Sequence, residues 1–328
     1  MKFRTDFIPE KASFSIDPSL PVVLLGSCFA QNIAGRMRRS LWNAVNPFST
    51  LYNPLSIERT LRASILSSDR DKIFSDSIFD AGDRVCSWLA DSRFSAESRR
   101  DVLAELSTKA DELDKALKIA PVMFVTFGTS WCYFLADRPD YVVANCHKQP
   151  ASDFIRRRVS VDEIVNIWLD LSSSLKEKYP QLRIVFTVSP VRHMKDGFAG
   201  NSHSKAVLLL AVEEICNRLD YCHYFPAYEI VNDDLRDYRF YASDLVHPSE
   251  EAVEYIWEIF RATYLDPAGE AILKEGEKLL KAWQHRPLPN ATKEPSPERR
   301  EKEGVRLNEI RLRHAAFLSL HPHMLPLP

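Results

Sequence analysis

Short runs of consecutive apolar residues alternate along the chain with longer segments in which apolar residues recur every three or four positions. Runs of about four to eight apolar residues predict fully buried strands, and the longer spacing predicts helices with one buried face. The strand-like runs are residues 21–25, 121–127 and 182–188. The helical segments around them are residues 29–42, 96–119 and 161–179.

This alternation predicts an α/β fold. Strands separated by helices of about a dozen residues or more form a mostly parallel sheet that is covered on both faces, which gives a three-layer α/β/α architecture. Smaller elements are predicted as a strand pair at residues 131–135 and 141–144, a helix at 204–218 and a short strand at 222–225.

Beyond Pro248 the chain is predicted to be helical, and the pattern changes near His285. Helices are predicted at residues 250–264 and 270–283. From His285 onward the chain is rich in proline and charge and lacks the apolar surface that would order it, which is typical of a linker. One last helix, at residues 305–320, is expected to dock on the body of the protein or on another subunit. We therefore divide the chain into a large domain, residues 1–284, and a linker with a C-terminal helix, residues 285–328.

Composition narrows the class of protein. The 328 residues are 45% hydrophobic and 27% charged, with a net charge of −2, which fits a globular protein with a sizeable core. Affinity for nucleic acid needs concentrated positive charge, so no nucleic-acid partner is expected, and the arginine run at residues 156–158 is interpreted as a solvated face. No apolar stretch reaches the ~20 residues that a membrane-spanning helix needs, and the N-terminus has no signal-peptide pattern. A cytoplasmic location without membrane contact is predicted.

The cysteines argue against a metal site. The six cysteines show neither a C-x-x-C pair nor the spacing of metal ligands. No metal and no cofactor are therefore predicted.

Ser27 directly follows the first predicted strand and Gly26, and it stands at the start of a predicted helix. In a parallel α/β sheet the loops at the carboxyl ends of strands border the ligand crevice. There, helix N–H groups and the helix dipole could stabilise an oxyanion beside a serine hydroxyl. On position alone, however, the role of an ordinary helix N-cap explains Ser27 better. The neighbouring Cys28 is expected to point into the core as an inert thiol.

The second candidate element is Asp244-Leu245-Val246-His247-Pro248, in a turn ahead of a helix. An aspartate three residues before a histidine lets the carboxylate hold one imidazole nitrogen while the other nitrogen faces a nucleophile. Taken alone, the same pattern is explained by Asp244 as a helix cap and His247 as a polar loop residue.

Together the two elements follow the chain order of the SGNH hydrolases. From about residue 15 to residue 264, the sequence resembles the GSCFA-domain family, a bacterial branch of the SGNH/GDSL-like group. The resemblance rests on GSCFA (26–30), NPFSTLYNP (46–54), TFGTSW (126–131), VANCHK (143–148), TVSPVRHMKDG (187–197), DDLRDYRFY (233–241) and DLVHPS (244–249). It implies an SGNH-hydrolase, flavodoxin-like architecture, with Ser27 as nucleophile, His247 as general base and Asp244 as the group that orients His247.

The resemblance also implies an oxyanion hole made of the N–H of the nucleophile, a glycine N–H from the second block and an asparagine amide from the third. This sequence departs from that pattern. Ser49 stands where many relatives have glycine, and the third block, which begins at Gly128, has no asparagine. Asn145 is the substitute donor that we expect, and Asn46 or Asn53 could do the same.

Three further residues follow predicted strands. Arg192 could clamp a carboxylate or phosphate with two parallel hydrogen bonds, and His193 could polarise a substrate or replace the base. Both could instead hold neighbouring loops, and His147 has the same two explanations. Three histidines near one crevice permit zinc, but their spacing across separate loops does not indicate it.

The predicted function is that of a serine esterase or acyl hydrolase acting on a small-molecule ester or an acylated carbohydrate. Two alternatives remain open. One is an O-acyltransferase that uses the same residues. The other is a non-catalytic ligand-binding protein of the same fold, which the altered third block and Ser49 favour. Oligomerisation through the C-terminal segment is a further expectation.

Overall fold

The computed structural model describes Thr5, Phe7 and residues 10–285 and 297–328. The strands are β1 (Val22–Gly26), β2 (Ala44–Val45), β3 (Ile78–Ala81), β4 (Arg84–Ser87), β5 (Val122–Phe127), β6 (Trp131–Leu135), β7 (Val142–Val143), β8 (Phe154–Arg158), β9 (Arg183–Val188) and β10 (Cys222–Tyr224). The helices are α1 (Cys28–Arg39), α2 (Pro54–Leu61), α3 (Arg70–Ser77), α4 (Arg99–Leu117), α5 (Val161–Lys178), α6 (Gly197–Arg218), α7 (Ala227–Glu229), α8 (Glu250–Tyr264), α9 (Pro267–Gln284) and α10 (Pro297–Leu320).

A five-stranded sheet in the order β2-β1-β5-β9-β10 forms the centre of the protein, and every neighbouring pair in it is parallel. Strand β1 lies between β2 and β5, which are the next two strands of this sheet along the chain. That is the doubly wound, flavodoxin-like order, whose ligand crevice lies where the connections change direction. The predicted α/β architecture with a mostly parallel sheet and a helical C-terminal extension is confirmed.

Helices cover both faces of the sheet because successive strand residues point to opposite sides. Val23 and Leu25 of β1 belong to the core that α4, α5 and α6 complete. Val22 and Leu24 belong to the core on the other face, with α1, α8 and α9. On α1, the buried Ile33 and Met37 recur at helical spacing and fix which face of that helix meets the sheet.

Two smaller antiparallel sheets border the central one. The predicted pairing of residues 131–135 with 141–144 is confirmed by β6 and β7, and β8 pairs with the other edge of β6. The hairpin of β3 and β4 was not indicated by the hydrophobic pattern. The arginine run is not only a solvated face, since it forms β8 and its Arg156 guanidinium lies 4.2 Å from the centre of the Trp131 ring.

Several helix boundaries differ from the prediction, and the largest difference is at α10, which begins at Pro297 instead of residue 305. Helix α1 ends at Arg39 instead of residue 42, because Leu41 has a left-handed backbone (φ 59°) that no helix continues through. Helix α6 begins at Gly197, seven residues before the predicted start at Ser204.

The C-terminal segment docks on the body of the same chain. The Arg306 guanidinium on α10 donates to the Ala282 carbonyl at the end of α9 (2.7 Å), and Phe317 and Met324 are buried in the core beneath α1 and α8. Of the predicted linker, residues 286–296 lie outside the described residues, whereas residues 297–304 are not a linker, because they form the first part of α10. Association with another subunit stays a prediction, and so does the domain boundary. No helix in the described part of the chain is long and apolar enough to cross a bilayer.

Candidate active site

A cavity of about 360 Å³ opens at the carboxyl-terminal ends of the central strands β1, β5 and β9. The segments that follow these three strands contribute Cys28, Thr129 and His193 to its wall. The loop after β7 adds Asn145, and the turn before α8 adds His247. The cavity therefore lies at the carboxyl ends of parallel strands, where ligands bind in sheets of this kind.

Ser27 lies at the junction of β1 and α1. The backbone there requires glycine at position 26, directly before the serine. Gly26 has φ +130°, and a Cβ on it would lie 2.1 Å from the Thr126 carbonyl oxygen. The Ser27 N–H donates to that same carbonyl (3.1 Å). Ser27 occupies the N-cap position of α1, but its side chain makes no capping hydrogen bond. Its Oγ is buried and has no hydrogen-bond partner among the described residues, so capping does not explain this serine.

Asp244 and His247 form a hydrogen-bonded pair in the turn before α8. Nδ1 of His247 lies 2.7 Å from one carboxylate oxygen of Asp244. The other oxygen accepts the backbone N–H groups of Val246 (2.9 Å) and His247 (3.0 Å). These hydrogen bonds, led by the His247 N–H, lower the pKa of Asp244 to about 2. Helix α8 is capped instead by Ser249, whose Oγ accepts the Ala252 N–H, so Asp244 is not the helix cap.

The Asp244 carboxylate fixes the state of the imidazole. An ionised carboxylate can only accept hydrogen bonds, so the proton of a neutral His247 lies on Nδ1 and Nε2 is left as an acceptor. His247 lines the cavity. Ser27 makes no hydrogen bond to it in the described structure, because Ser27 Oγ has no partner there.

His193 and Ser27 both lie beside Gly128. A Cβ placed on Gly128 would be 3.3 Å from His193 Nε2, 3.4 Å from Ser27 Cβ and 2.9 Å from the Tyr52 carbonyl oxygen. The backbone of His193 is held by Asn201, whose side-chain oxygen accepts its N–H (2.9 Å). His193 Nε2 is buried without a hydrogen-bond partner among the described residues. The two residues beside this glycine thus each carry an unpartnered buried polar atom.

Lys205 of α6 lies fully buried beneath the cavity. Its Nζ donates to the carbonyl oxygens of Gly128 and Ser189, each at 2.6 Å, and so ties the ends of β5 and β9 together. Burial lowers its pKa to about 7. Lys205 is absent from the motifs of the sequence, although one signal for it was present: a lysine interrupts the otherwise uncharged set of residues that α6 buries. That set is Asn201, Ser204, Lys205, Leu208, Ala211, Val212 and Ile215.

The surroundings of His193 keep its imidazole neutral. Burial is the main cause, and the positive charges of Lys205, His247 and Arg156 add to it, so that the pKa of His193 falls to about 4. At neutral pH one ring nitrogen of His193 therefore carries a hydrogen and the other does not.

The structure places Ser49 away from the cavity wall. Its backbone is left-handed (φ 62°), which is the conformation that glycine adopts readily. Its Oγ accepts a hydrogen bond from the Gln31 side chain (2.7 Å). The serine thus keeps the backbone shape of the second block, and its hydroxyl is engaged inside the protein.

The third block offers no amide side chain to the cavity. Ser130 is fully buried, and its hydroxyl donates to Ser204 Oγ (3.1 Å). The Gly128 N–H is also engaged, since it donates to the Tyr52 carbonyl (2.8 Å).

Of the three asparagines proposed as donors, Asn53 and Asn145 line the cavity and Asn46 does not. The side-chain oxygen of Asn53 accepts the Ser56 N–H and caps α2, and that of Asn145 accepts the His147 N–H (2.7 Å). In both residues the oxygen is engaged, so the NH₂ group is the part that remains for a ligand. Both amide atoms of Asn46 are buried without a partner among the described residues.

His147 and Arg192 have different surroundings. Nε2 of His147 lies 2.8 Å from the Ser87 carbonyl oxygen and 3.1 Å from that of Ala90, which ties the loop after β7 to the segment after β4. His147 is not part of the cavity wall, and burial lowers its pKa. Arg192 does line the cavity, with its guanidinium 4.1 Å from the centre of the Tyr241 ring. Among the described residues, no group of three or more His, Cys, Asp or Glu is placed to hold a metal ion.

Cys28 differs from the expectation, because it lines the cavity and does not point into the core. Burial raises the pKa of its thiol, so the sulfur stays protonated and is a poor nucleophile. The cavity wall also holds three aromatic residues that the sequence analysis did not single out, Tyr52, Trp131 and Tyr133. Trp131 and Tyr133 stand two apart on β6, and this spacing places both on one face of the strand.

Comparison with protein-family models identifies the family of the chain. The model of the GSCFA family matches residues 21–260 of the chain. Among solved structures, a carbohydrate esterase of family 3 from Talaromyces cellulolyticus is similar with a TM-score of 0.31 and 6% sequence identity, over 78% of this chain and 99% of that chain. A likeness this weak says nothing about activity. No curated protein matches the chain by sequence.

Proposed function

The chain belongs to the GSCFA family, and we propose that it is a serine-dependent ester hydrolase in which Ser27 is the nucleophile, His247 the general base and Asp244 the group that orients the base. The observation that carries this proposal is the Asp244–His247 pair. A carboxylate with a lowered pKa holds Nδ1 of the imidazole at 2.7 Å and leaves Nε2 beside the cavity.

The proposed reaction is acyl transfer through the serine. His247 Nε2 takes the proton of Ser27 Oγ while the oxygen attacks the ester carbonyl carbon. The negative charge that develops on the carbonyl oxygen lies near the N-terminus of α1, where the helix dipole stabilises it. His247 then gives the proton to the leaving alcohol, and a water molecule releases the acyl group by the same steps.

No existing hydrogen bond holds the nucleophile away from the base. Ser27 Oγ has no hydrogen-bond partner among the described residues, so turning it toward His247 breaks no existing bond. Catalytic hydrogen bonds commonly shorten when substrate binds.

The cavity wall suggests the substrate class. A cavity of about 360 Å³ admits a small molecule. The aromatic residues Trp131, Tyr133 and Tyr52 offer apolar surface, while the amides of Asn53 and Asn145 offer polar groups. An acylated sugar, with apolar ring faces and hydroxyl edges, fits this combination, and a small acylated metabolite is the simpler form of the same proposal.

The first test compares hydrolysis of p-nitrophenyl acetate and butyrate by the wild type, Ser27→Ala and His247→Ala. We expect each variant to lose at least about a hundredfold in kcat. Cys28→Ala tests the neighbouring thiol, which lines the cavity, and should keep far more activity than Ser27→Ala. His203→Ala, an exposed histidine on α6, is the control for His247 and should keep the wild-type rate. Equal rates in all five proteins would refute the proposed nucleophile and base.

Two other functions would give different results. An O-acyltransferase would pass the acyl group of the same ester to an added alcohol faster than to water. A non-catalytic binding protein would show no serine labelled by a fluorophosphonate, a reagent that requires an activated hydroxyl. The altered third block is the observation that favours the binding protein, since no amide side chain stands there.

A further inference from the structure

We propose that His193 is the catalytic oxyanion donor of this site, through an N–H at Nε2 that takes the place of the amide missing from the third block. The inference rests on the proposed ester hydrolysis at Ser27 and names one more residue that touches the reacting atoms. It also separates the roles of the two histidines that border the cavity.

The need for such a donor follows from the hydrogen bonds around Ser27. An oxyanion beside the serine requires N–H groups that are free to point at it. The Ser27 N–H already donates to the Thr126 carbonyl, and the Gly128 N–H already donates to the Tyr52 carbonyl. The buried hydroxyl of Ser130 donates to Ser204.

The geometry around Gly128 places His193 where a donor is needed. A Cβ on Gly128 would lie 3.3 Å from His193 Nε2 and 3.4 Å from Ser27 Cβ, so both residues border the space that this glycine leaves without a side chain. Both Ser27 Oγ and His193 Nε2 are buried without partners among the described residues. Leaving a buried polar group unpaired costs about 1–3 kcal/mol, so two such groups beside one glycine favour a polar ligand atom that contacts both.

The charges that face His193 suit a neutral donor and not a base. Lys205 lies beneath it, and Arg156 and His247 approach from β8 and from the turn before α8. Burial, with these positive charges in addition, lowers its pKa to about 4, so the imidazole is a weak base at neutral pH. His247, by contrast, is paired with a carboxylate that stabilises the protonated imidazole. His193 is thus suited to donate one hydrogen bond without transferring its proton.

In the proposed step the atoms and electrons balance as follows. A bond forms between Ser27 Oγ and the carbonyl carbon, the proton of Oγ passes to His247 Nε2, and the π electron pair moves onto the carbonyl oxygen. That oxygen accepts the hydrogen bond from His193 Nε2–H, and the hydrogen remains on His193. When the pair returns, the bond from carbon to the alcohol oxygen breaks, and the leaving oxygen takes the proton from His247.

The kinetic test uses two replacements for His193. His193→Gln keeps an NH₂ donor at a similar reach, whereas His193→Leu keeps much of the volume and has no donor. We expect His193→Leu to lower kcat on p-nitrophenyl acetate by about 10²- to 10³-fold with little change in KM, and His193→Gln to recover at least about tenfold of that loss. Circular dichroism and thermal melts show whether both variants fold. Wild-type kcat in His193→Leu would overturn the proposal, and so would equal losses in both folded variants.

A spectroscopic test does not depend on turnover. Long-range ¹H–¹⁵N NMR of histidine-labelled protein reports which ring nitrogen carries the hydrogen. The proposal requires His193 to be neutral with its hydrogen on Nε2 at pH 7. A hydrogen on Nδ1 alone, or a charged ring at that pH, would overturn it.

The two proposals fail in distinguishable ways. If Ser27→Ala is inactive while His193→Leu is fully active, the hydrolase proposal stands and the His193 proposal falls. If the wild type neither hydrolyses esters nor reacts with a fluorophosphonate, both fall together.

Discussion

Gly128→Ala tests the arrangement of the site more directly than removal of any functional group, because it adds one methyl group where Ser27 and His193 meet. The added Cβ would lie 2.9 Å from the Tyr52 carbonyl oxygen, a separation that real Cβ atoms essentially never show. It would also lie 3.3 Å from His193 Nε2 and 3.4 Å from Ser27 Cβ. The backbone carbonyl cannot swing away as a side chain would, so the loops after β2 and β5 must separate by a few tenths of an ångström.

The expected magnitudes follow from this displacement. Overpacking of this kind costs about 1–3 kcal/mol of the free energy of unfolding. Since a misplacement of about 1 Å in an active site can cost a hundredfold in rate, a smaller shift of both Ser27 and His193 should lower kcat/KM by about 10- to 100-fold. The free energy is measured by urea denaturation followed by tryptophan fluorescence. Turnover is measured at a temperature where the variant is fully folded.

Gly35→Ala is the matched control. A Cβ on Gly35 would meet no atom within 4 Å, and the residue lies inside α1. Alanine is a better helix former than glycine, so this variant should gain about 0.5–1 kcal/mol in stability and keep its activity. If Gly128→Ala stays within about 0.5 kcal/mol of the wild type, the close packing of Tyr52 on Gly128 is refuted. If it is destabilised yet fully active, the placement of the reacting groups around Gly128 is wrong.

Three further variants test other parts of the structure. Gly26→Ala puts a Cβ 2.1 Å from the Thr126 carbonyl oxygen, at a residue with φ +130°. Urea denaturation should therefore show that the free energy of unfolding falls by more than about 4 kcal/mol. A denaturation midpoint equal to that of the wild type would contradict the pairing of β1 with β5. Asp244→Asn removes the acceptor for His247 Nδ1 and should lower kcat by about 10³- to 10⁴-fold. Because the pKa of Asp244 is lowered to about 2, the stability that this carboxylate contributes is present above its ordinary pKa and is lost as pH falls through 2. The free energy of unfolding of Asp244→Asn should therefore decrease less with falling pH than that of the wild type. The pKa of Lys205 is lowered from 10.5 to about 7, so between these values the unfolded chain binds more protons than the folded one. Wild-type stability should therefore rise by up to about 1.4 kcal/mol per pH unit from pH 7 to 10 relative to Lys205→Met, and a constant difference in denaturation midpoints would contradict this.

The hydrophobic pattern was sufficient for β1, β5 and β9 of the central sheet, because burial alone selects those strands. Residues 122–127 and 183–188 form strands whose side chains are nearly all buried, and a strand buried on both faces has to be apolar throughout. Strand β2 has only two residues, Ala44 and Val45, which is too short to form a recognisable run. Strand β8 was missed for a different reason. Its arginines lay their stems and guanidinium groups over aromatic rings of β6, so a charged run can cover apolar surface.

Local backbone signals explain how much of the candidate site the sequence predicted. Ser27 was predicted because a strand, a glycine and a helix follow one another directly in the sequence. Asp244 and His247 were predicted because the two residues stand three apart and form their hydrogen bond within a single turn. The donors around the oxyanion depend on contacts between segments far apart in the chain. That Ser49 would engage Gln31, and that His147 would engage the carbonyls of Ser87 and Ala90, follows only from how the loops pack.

Lys205 shows why the remaining part of the site needs three dimensions. A lysine within an apolar helical stripe is expensive to bury unless its ammonium group finds acceptors. Here the acceptors are the carbonyls of Gly128 and Ser189, at the ends of two neighbouring strands, and the sequence separates them by 61 residues. Burial is the main cause of the lowered pKa of His193, and the charge of this ammonium group adds to it. Lys205 therefore contributes both to the contact between the strand ends and to the electrostatics of the site, although no motif contains it.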